Sequence, residues 1–200
     1  MAPIKAFLLA LIALASTLAV PAYGQVTAYA AGQGGVNRIE VGIDVRASVR
    51  DRCGFAAEGL PSGTVSQADF DRTGINKDFA IRLNCTGASR IAVSSLNGGM
   101  ATAETATGYA KTAPYNVELR MVGDNGTVAT GACAASAMKT AGACAFSGSA
   151  NKTNGLLLNA ASTKTNGSYL RVSAQPYTGE QPLLAGSYSD TLIITVSIAS

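Results

Sequence analysis

The chain contains no histidine and no tryptophan, only 14% of its residues are charged, and one N-terminal stretch is its only long hydrophobic run. Each absence excludes a class of function. Without His there is no Ser-His-Asp triad, no Cys-His dyad and no imidazole metal ligand. The four cysteines form no Cys-x-x-Cys pair, so a thiolate zinc site has no scaffold. Lys and Arg number 15 against 12 Asp and Glu, and they are scattered without a basic run. That balance gives no electrostatic reason to bind nucleic acid. Long amphipathic patterns of Leu, Glu and Lys, which favour helices, are missing outside the N-terminal stretch.

That stretch reads as a secretory signal peptide. Lys5 supplies the positive end, Ala6 to Val20 is apolar and uncharged, Pro21 breaks it, and Ala22-Tyr23-Gly24 presents small residues for cleavage. The run is shorter than the 20 or so residues a membrane span needs. We take residues 1–24 as the signal and Gln25 as the start of an exported chain, with no membrane span after its removal. Without Lys5 the net charge falls from +3 to +2.

In an exported chain an even number of cysteines reads as disulfides. Cys53, Cys85, Cys133 and Cys144 allow three connectivities, and the order of the sequence favours Cys53 with Cys85 and Cys133 with Cys144. The first loop is worth about 3–4 kcal/mol on chain-entropy grounds.

Gly, Ala, Ser, Thr and Asn dominate the remainder. Residues 25–37, "QVTAYAAGQGGVN", suit a flexible leader, yet they alternate. Val26, Ala28, Ala30, Gly32, Gly34 and Val36 share one parity, whereas Thr27, Tyr29, Gln33 and Asn37 share the other. The segment is either a loose tail or an extended strand awaiting a partner. Residues 38–50 alternate strictly, with Ile39, Val41, Ile43, Val45, Ala47 and Val49 on one face and Arg38, Glu40, Asp44, Arg46, Ser48 and Arg50 on the other.

Further strands are predicted near 64–70, 77–85, 90–96, 115–122, 145–147, 155–158, 168–176 and 187–198. Turn chemistry marks "LNGG" at 96–99 and "GDNG" at 123–126. The pattern predicts one all-β domain, an antiparallel sandwich. Its final strand is amphipathic: Leu192, Ile194, Val196 and Ile198 share a face that needs a core beneath it. An immunoglobulin-like sandwich needs one more strand beside that one, and a strand from another molecule is the simplest cover.

Motifs for chemistry are sparse. Gly32 to Asn37, "GQGGVN", fails the dinucleotide pattern. Ser136 to Lys139, "SAMK", matches the Ser-x-x-Lys of penicillin-binding enzymes, and "KTNG" at 164–167 faintly resembles their Lys-Thr-Gly, but no Ser-Asp-Asn accompanies them. Glu58, Asp69, Asp71 and Asp78 form a loose acidic group that reads as solvated loop charge. Asn84, Asn125, Asn151 and Asn166 open N-x-S/T sequons. No enzymatic activity, cofactor or metal is expected.

Four stretches together resemble a known family. "VGIDVRASVRDRC" at 41–53 is an alternating strand entering a cysteine, and "FAIRLNCTG" at 79–87 is a second strand ending on one. "APYNVELRMVGD" at 113–124 is a Tyr-containing middle strand, and "AGSYSDTLIITVSI" at 185–198 carries Gly-x-Tyr-x-Asp-Thr before the last strand. In these features the chain resembles the spore coat protein U-like domain family, which includes the major pilins of archaic chaperone–usher pili. It departs from the family at Asp71, where Gly is usual, and in its additional Cys133–Cys144 loop.

The resemblance implies an incomplete immunoglobulin-like sandwich lacking its final strand, completed by a donor strand in trans. Residues 25–37 would be the donor, with Val26, Ala28, Ala30, Gly32, Gly34 and Val36 facing its pockets, and residues 38–200 the pilin domain. Ile39, Val41, Ile43, Val45, Leu192, Ile194, Val196 and Ile198 would line the acceptor groove. The implied partners are neighbouring pilin subunits, a periplasmic chaperone and an outer-membrane usher, and the implied place is a surface pilus serving adhesion and biofilm formation. The alternative is a monomeric surface domain, or a tip adhesin, that binds a ligand through its loops.

Overall fold

Alternation along the chain builds two antiparallel sheets whose apolar faces meet. The structure, a computed structural model, describes residues 45–59, 63–163 and 165–199. The chain divides into two units, Met1–Ala47 and Ser48–Ser200, and the architecture below belongs to the second. The strands are β1 (Ile75–Ile81), β2 (Ser89–Ser95), β3 (Met100–Ala101), β4 (Thr112–Ala113), β5 (Asn116–Val122), β6 (Val128–Ala134), β7 (Leu156–Leu158), β8 (Ser168–Ala174) and β9 (Leu192–Ile198). One sheet has the order β1-β8-β5-β6, the second β7-β2-β9, and β3 pairs with β4. Every strand pair is antiparallel.

Period two decides which residues turn inward. Val117, Leu119 and Met121 of β5 and Leu170 and Val172 of β8 are buried, and they face Ile91 and Val93 of β2 across the core. Asp78, Arg171 and Glu118 alternate with them on the outer face. There Arg171 grips Asp78 through two hydrogen bonds of 2.6 and 2.8 Å. Glu118 lies 3.6 Å from the Arg171 guanidinium and accepts a hydrogen bond from Tyr169 at 2.7 Å.

The turns behave as their residues dictate. Gly123 to Gly126 joins β5 to β6 in a hairpin. Gly126 N–H donates to the Gly123 carbonyl at 2.9 Å, and Thr127 N–H to Asn125 Oδ1 at 3.0 Å. Gly126 takes φ +83°, which a side chain would oppose.

Both disulfides follow the sequence order. Cys53–Cys85 fastens residues 52–56 beside 82–86, where Ala56 N–H donates to Arg82 and Asn84 N–H to Gly54. Cys133–Cys144 ties the end of β6 to the loop after the 3-10 turn Ala135–Lys139. That loop delivers Phe146, wholly buried, onto Gly131 of β6. Burial of such a ring contributes about 2–3 kcal/mol. A Cβ on Gly131 would approach Phe146 to 3.1 Å, a tight contact that the ring would have to yield to.

Three strand expectations are corrected. Residues 64–70 form no strand: Asp69 adopts a left-handed conformation (φ 50°, ψ 36°) that starts the one-turn helix Phe70–Thr73. Residues 145–147 contribute a single bridge, Val93 with Ser147, because the backbone turns there to cap Val93. The alternating segment 38–50 carries no strand over its described part, 45–50, and Val45 and Val49 are 83% and 78% exposed. Alternation proposes a strand, but only a neighbouring strand makes one. Conversely, β6 was not anticipated, since Val-Ala-Thr-Gly-Ala-Cys-Ala carries little β signal of its own.

Candidate functional site

Among the described residues the two sheets are closed together along one flank and open along the other. On the closed flank β6 lies against β7, with Phe146 and Leu156 over Gly131. On the open flank lie the outermost strands β1 and β9. Between them runs a cleft of about 1010 Å³. Its apolar wall comes from Ile75 and Phe79 of β1, Leu170 and Val172 of β8, and Leu192 and Ile194 of β9, and residues 63–71 and 183–191 complete it.

The backbone of β9 is directed by its pairing with β2. Val93 N–H donates to the Phe146 carbonyl at 2.8 Å, and the Val93 carbonyl accepts from Gly148 N–H at 3.0 Å. Odd-numbered residues of β2 therefore turn their backbone groups toward the β7 side. On the other side Leu96 N–H donates to Thr191, and Ala199 N–H to Ala88, each at 3.0 Å. Even positions of β2 thus meet odd positions of β9, consistent with the register Ala92 to Thr195. In an antiparallel ladder the N–H and C=O of one residue point the same way, and the direction alternates along the strand. Leu192, Ile194, Val196 and Ile198 therefore aim both groups away from β2. Among the described residues no strand lies on that side. The same four side chains face inward and remain only half-buried.

A polar staple fixes the start of β9. Asp190 Oδ2 accepts from Ser95 Oγ (2.6 Å), Tyr115 Oη (2.7 Å) and Gly99 N–H (3.2 Å). Asp190 Oδ1 accepts from the N–H groups of Asn97 (2.9 Å) and Thr191 (2.7 Å). Burial alone would raise the Asp190 pKa, but the donors, led by Ser95 and the Asn97 amide, hold it below the ordinary carboxylate value. Burial first, and then the Asp190 carboxylate, push the Tyr115 phenol up. Tyr188 braces the preceding segment. Its Oη donates to the Ala110 carbonyl and accepts from Leu184 N–H, both at 3.0 Å, and its ring meets Phe70 edge-on at 5.7 Å. The Gly-x-Tyr-x-Asp-Thr stretch is thus a rivet that sets β9 along the cleft.

Of the expected groove residues, Leu192 and Ile194 line the cleft, and Val196 packs with Ile194 against the same core. Ile198 continues that face beyond the cleft. Ile39, Val41 and Ile43 lie outside the described residues, and so do Val26, Ala28, Ala30, Gly32, Gly34 and Val36. Val45 is exposed. The described wall opposite β9 comes from β1 and β8, which sequence reasoning missed because pairing order, unlike alternation, is not written locally. Asp190, Ser95 and Tyr115 were also missed as a unit. The quoted 185–198 stretch marked Asp190, but nothing in it marked the two donors.

The other singled-out residues take up unrelated positions. Ser136 and Lys139 are exposed, with Met138 buried between them. Asp78 is held by Arg171 on the outer face, Glu58 lies 3.7 Å from Arg82, and Asp69 and Asp71 line the cleft. No family model, no curated protein and no solved structure matches the chain.

Proposed function

We propose that this chain is a structural subunit of a surface fibre, an incomplete immunoglobulin-like sandwich whose cleft accepts a strand from another copy. The observation that carries the reading is β9. Leu192 and Ile194 present apolar side chains to the cleft, Val196 and Ile198 continue that face, and all four aim toward the same flank backbone groups that no described residue pairs. Both needs are met by one inserted strand, through a ladder of backbone bonds and alternate side chains in the cleft. Residues 25–37 are the proposed occupant, with their small alternating face of Val26, Ala28, Ala30, Gly32, Gly34 and Val36 turned inward. A few such side chains, buried at about 25 cal/mol per Å², add several kcal/mol to the ladder. Contacts of this head-to-tail kind do not close, so they build a filament. The resemblance to chaperone–usher pilins supplies the expected helpers, a periplasmic chaperone and an outer-membrane usher, and the role in adhesion and biofilm formation.

The test expresses the full chain to the periplasm beside a form lacking residues 25–37, each with and without a co-expressed pilus chaperone. Samples run unboiled in detergent and by size exclusion. The intact chain is expected to form a detergent-resistant ladder, and the shortened one to be recovered only with chaperone. Ile194→Lys, inside the cleft, abolishes the ladder, whereas Ile193→Lys, on the outer face at 54% exposure, leaves it. Stable monomers of both lengths without chaperone would sink the proposal and favour a monomeric ligand-binding surface domain.

A further inference from the structure

Four Asn-Gly dipeptides stand between strands, at Asn97, Asn125, Asn154 and Asn166. This pairing is chemically labile. The backbone nitrogen of the glycine attacks the asparagine Cγ, a C–N bond forms, and the side-chain nitrogen leaves as ammonia. Water then opens the resulting cyclic imide at either carbonyl, giving aspartate or isoaspartate. Water is the only co-reactant. Glycine matters because it has no side chain to shield the attacking nitrogen and its backbone reaches the needed geometry freely.

The fold treats the four sites differently. At Asn97 the side-chain amide donates to the Ser189 carbonyl (3.0 Å) and the backbone N–H to Asp190 (2.9 Å). The attacking nitrogen there, Gly98 N–H, is itself tied to Ser95 Oγ at 2.7 Å. Asn154 donates its side-chain amide to the carbonyls of Ser147 (3.1 Å) and Ser149 (2.8 Å). Asn125 accepts from Thr127 N–H at 3.0 Å, and Gly126 N–H is bonded to Gly123 at 2.9 Å. The Asn166 side chain is exposed, and no described residue hydrogen-bonds it. Its neighbour Gly167 instead receives Arg120 on its carbonyl at 2.7 Å.

We propose that Asn166–Gly167 is a spontaneous modification site of the folded protein, converting to aspartate and isoaspartate while the other three Asn-Gly pairs are held back by their hydrogen bonds. The conversion lowers the net charge by one unit just ahead of β8. The isoaspartate form also lengthens the main chain next to Ser168, whose buried hydroxyl accepts Val122 N–H at 2.9 Å.

The experiment incubates the purified full chain at mildly alkaline pH, then reduces, alkylates and digests it with trypsin at each time point. Cleavage after Arg90, Lys111, Arg120, Lys139, Lys152, Lys164 and Arg171 puts each Asn-Gly pair in its own peptide, where mass spectrometry with chromatographic separation reads both products. A parallel sample stands in denaturant with reductant. In the native protein Asn166 converts first and Asn125 next. Asn154 is about tenfold slower than Asn166, and Asn97 about 100-fold or more, since its bonds to a carboxylate and its tied nitrogen must open first. In denaturant the four rates converge. Asn166→Ala removes the leading acidic species on isoelectric focusing. Native conversion of Asn97, Asn125 or Asn154 as fast as Asn166, an Asn166 that stays an amide, or an acidic species undiminished in Asn166→Ala overturns the assignment.

Discussion

Replacing Asp190 by Ala deprives five donors of one acceptor. Three are backbone N–H groups of Asn97, Gly99 and Thr191, and two are the hydroxyls of Ser95 and Tyr115. Ser95 is 6% and Tyr115 4% exposed, so water cannot readily replace the lost partner. A stranded buried hydroxyl costs about 1–3 kcal/mol. With the turn amides partly rehydrated, the loss sums to about 3–5 kcal/mol, a large share of a domain's stability. Urea unfolding at neutral pH reads it as a lowered midpoint at unchanged slope. Tyr115→Phe alone costs about 1–1.5 kcal/mol, and in the Asp190→Ala background that cost disappears. The pH dependence has a definite sign. The folded Asp190 pKa lies below its ordinary value of 3.8, so its contribution is complete above that pH and is lost as the pH falls through the lower folded value. Asp190→Asn therefore loses stability at pH 6 and flattens the acid limb below pH 4 or so. A destabilisation by Asp190→Ala under about 1 kcal/mol, or an undiminished Tyr115→Phe effect in its background, would refute the staple.

Three further outcomes follow from the packing. Ser89 is wholly buried, and its hydroxyl has no partner, so Ser89→Ala is expected to raise stability by about 1 kcal/mol in the same urea assay; a loss of that size would reveal a hydrogen bond. Gly131→Val forces a branched side chain onto Phe146 and Leu156 and lowers stability by about 1–3 kcal/mol, seen as a reduced thermal midpoint. Removing Cys53–Cys85, whose partners are separated by 32 positions in sequence, costs about 4 kcal/mol against about 3 for Cys133–Cys144, separated by 11, and the reverse order in paired Cys→Ala variants would contradict the loop-entropy argument.

What the sequence determined by itself is local. The strand signals located β2, β5 and β8 to within a few residues and β9 inside a longer expected stretch that began at residue 187, and Asn-Gly chemistry marked a turn at 123–126. The expectation of export and an even cysteine count, with the order of the chain, anticipated both disulfides. These features depend on backbone preference and near neighbours, which a linear reading contains. Tertiary structure decided the rest. It recruited the weakly patterned β6 because Gly131 makes room for Phe146, and it turned residues 64–70 into loop and helix at Asp69. It chose β1 and β8 as the wall facing β9, and it gathered Ser95, Tyr115 and Asp190 from positions far apart in the chain. The amphipathic face of β9 was visible in its alternation. That its outward backbone groups lie along an open cleft depends on which strand pairs with which edge, a choice made by the balance of non-local contacts and therefore absent from any short stretch of the chain.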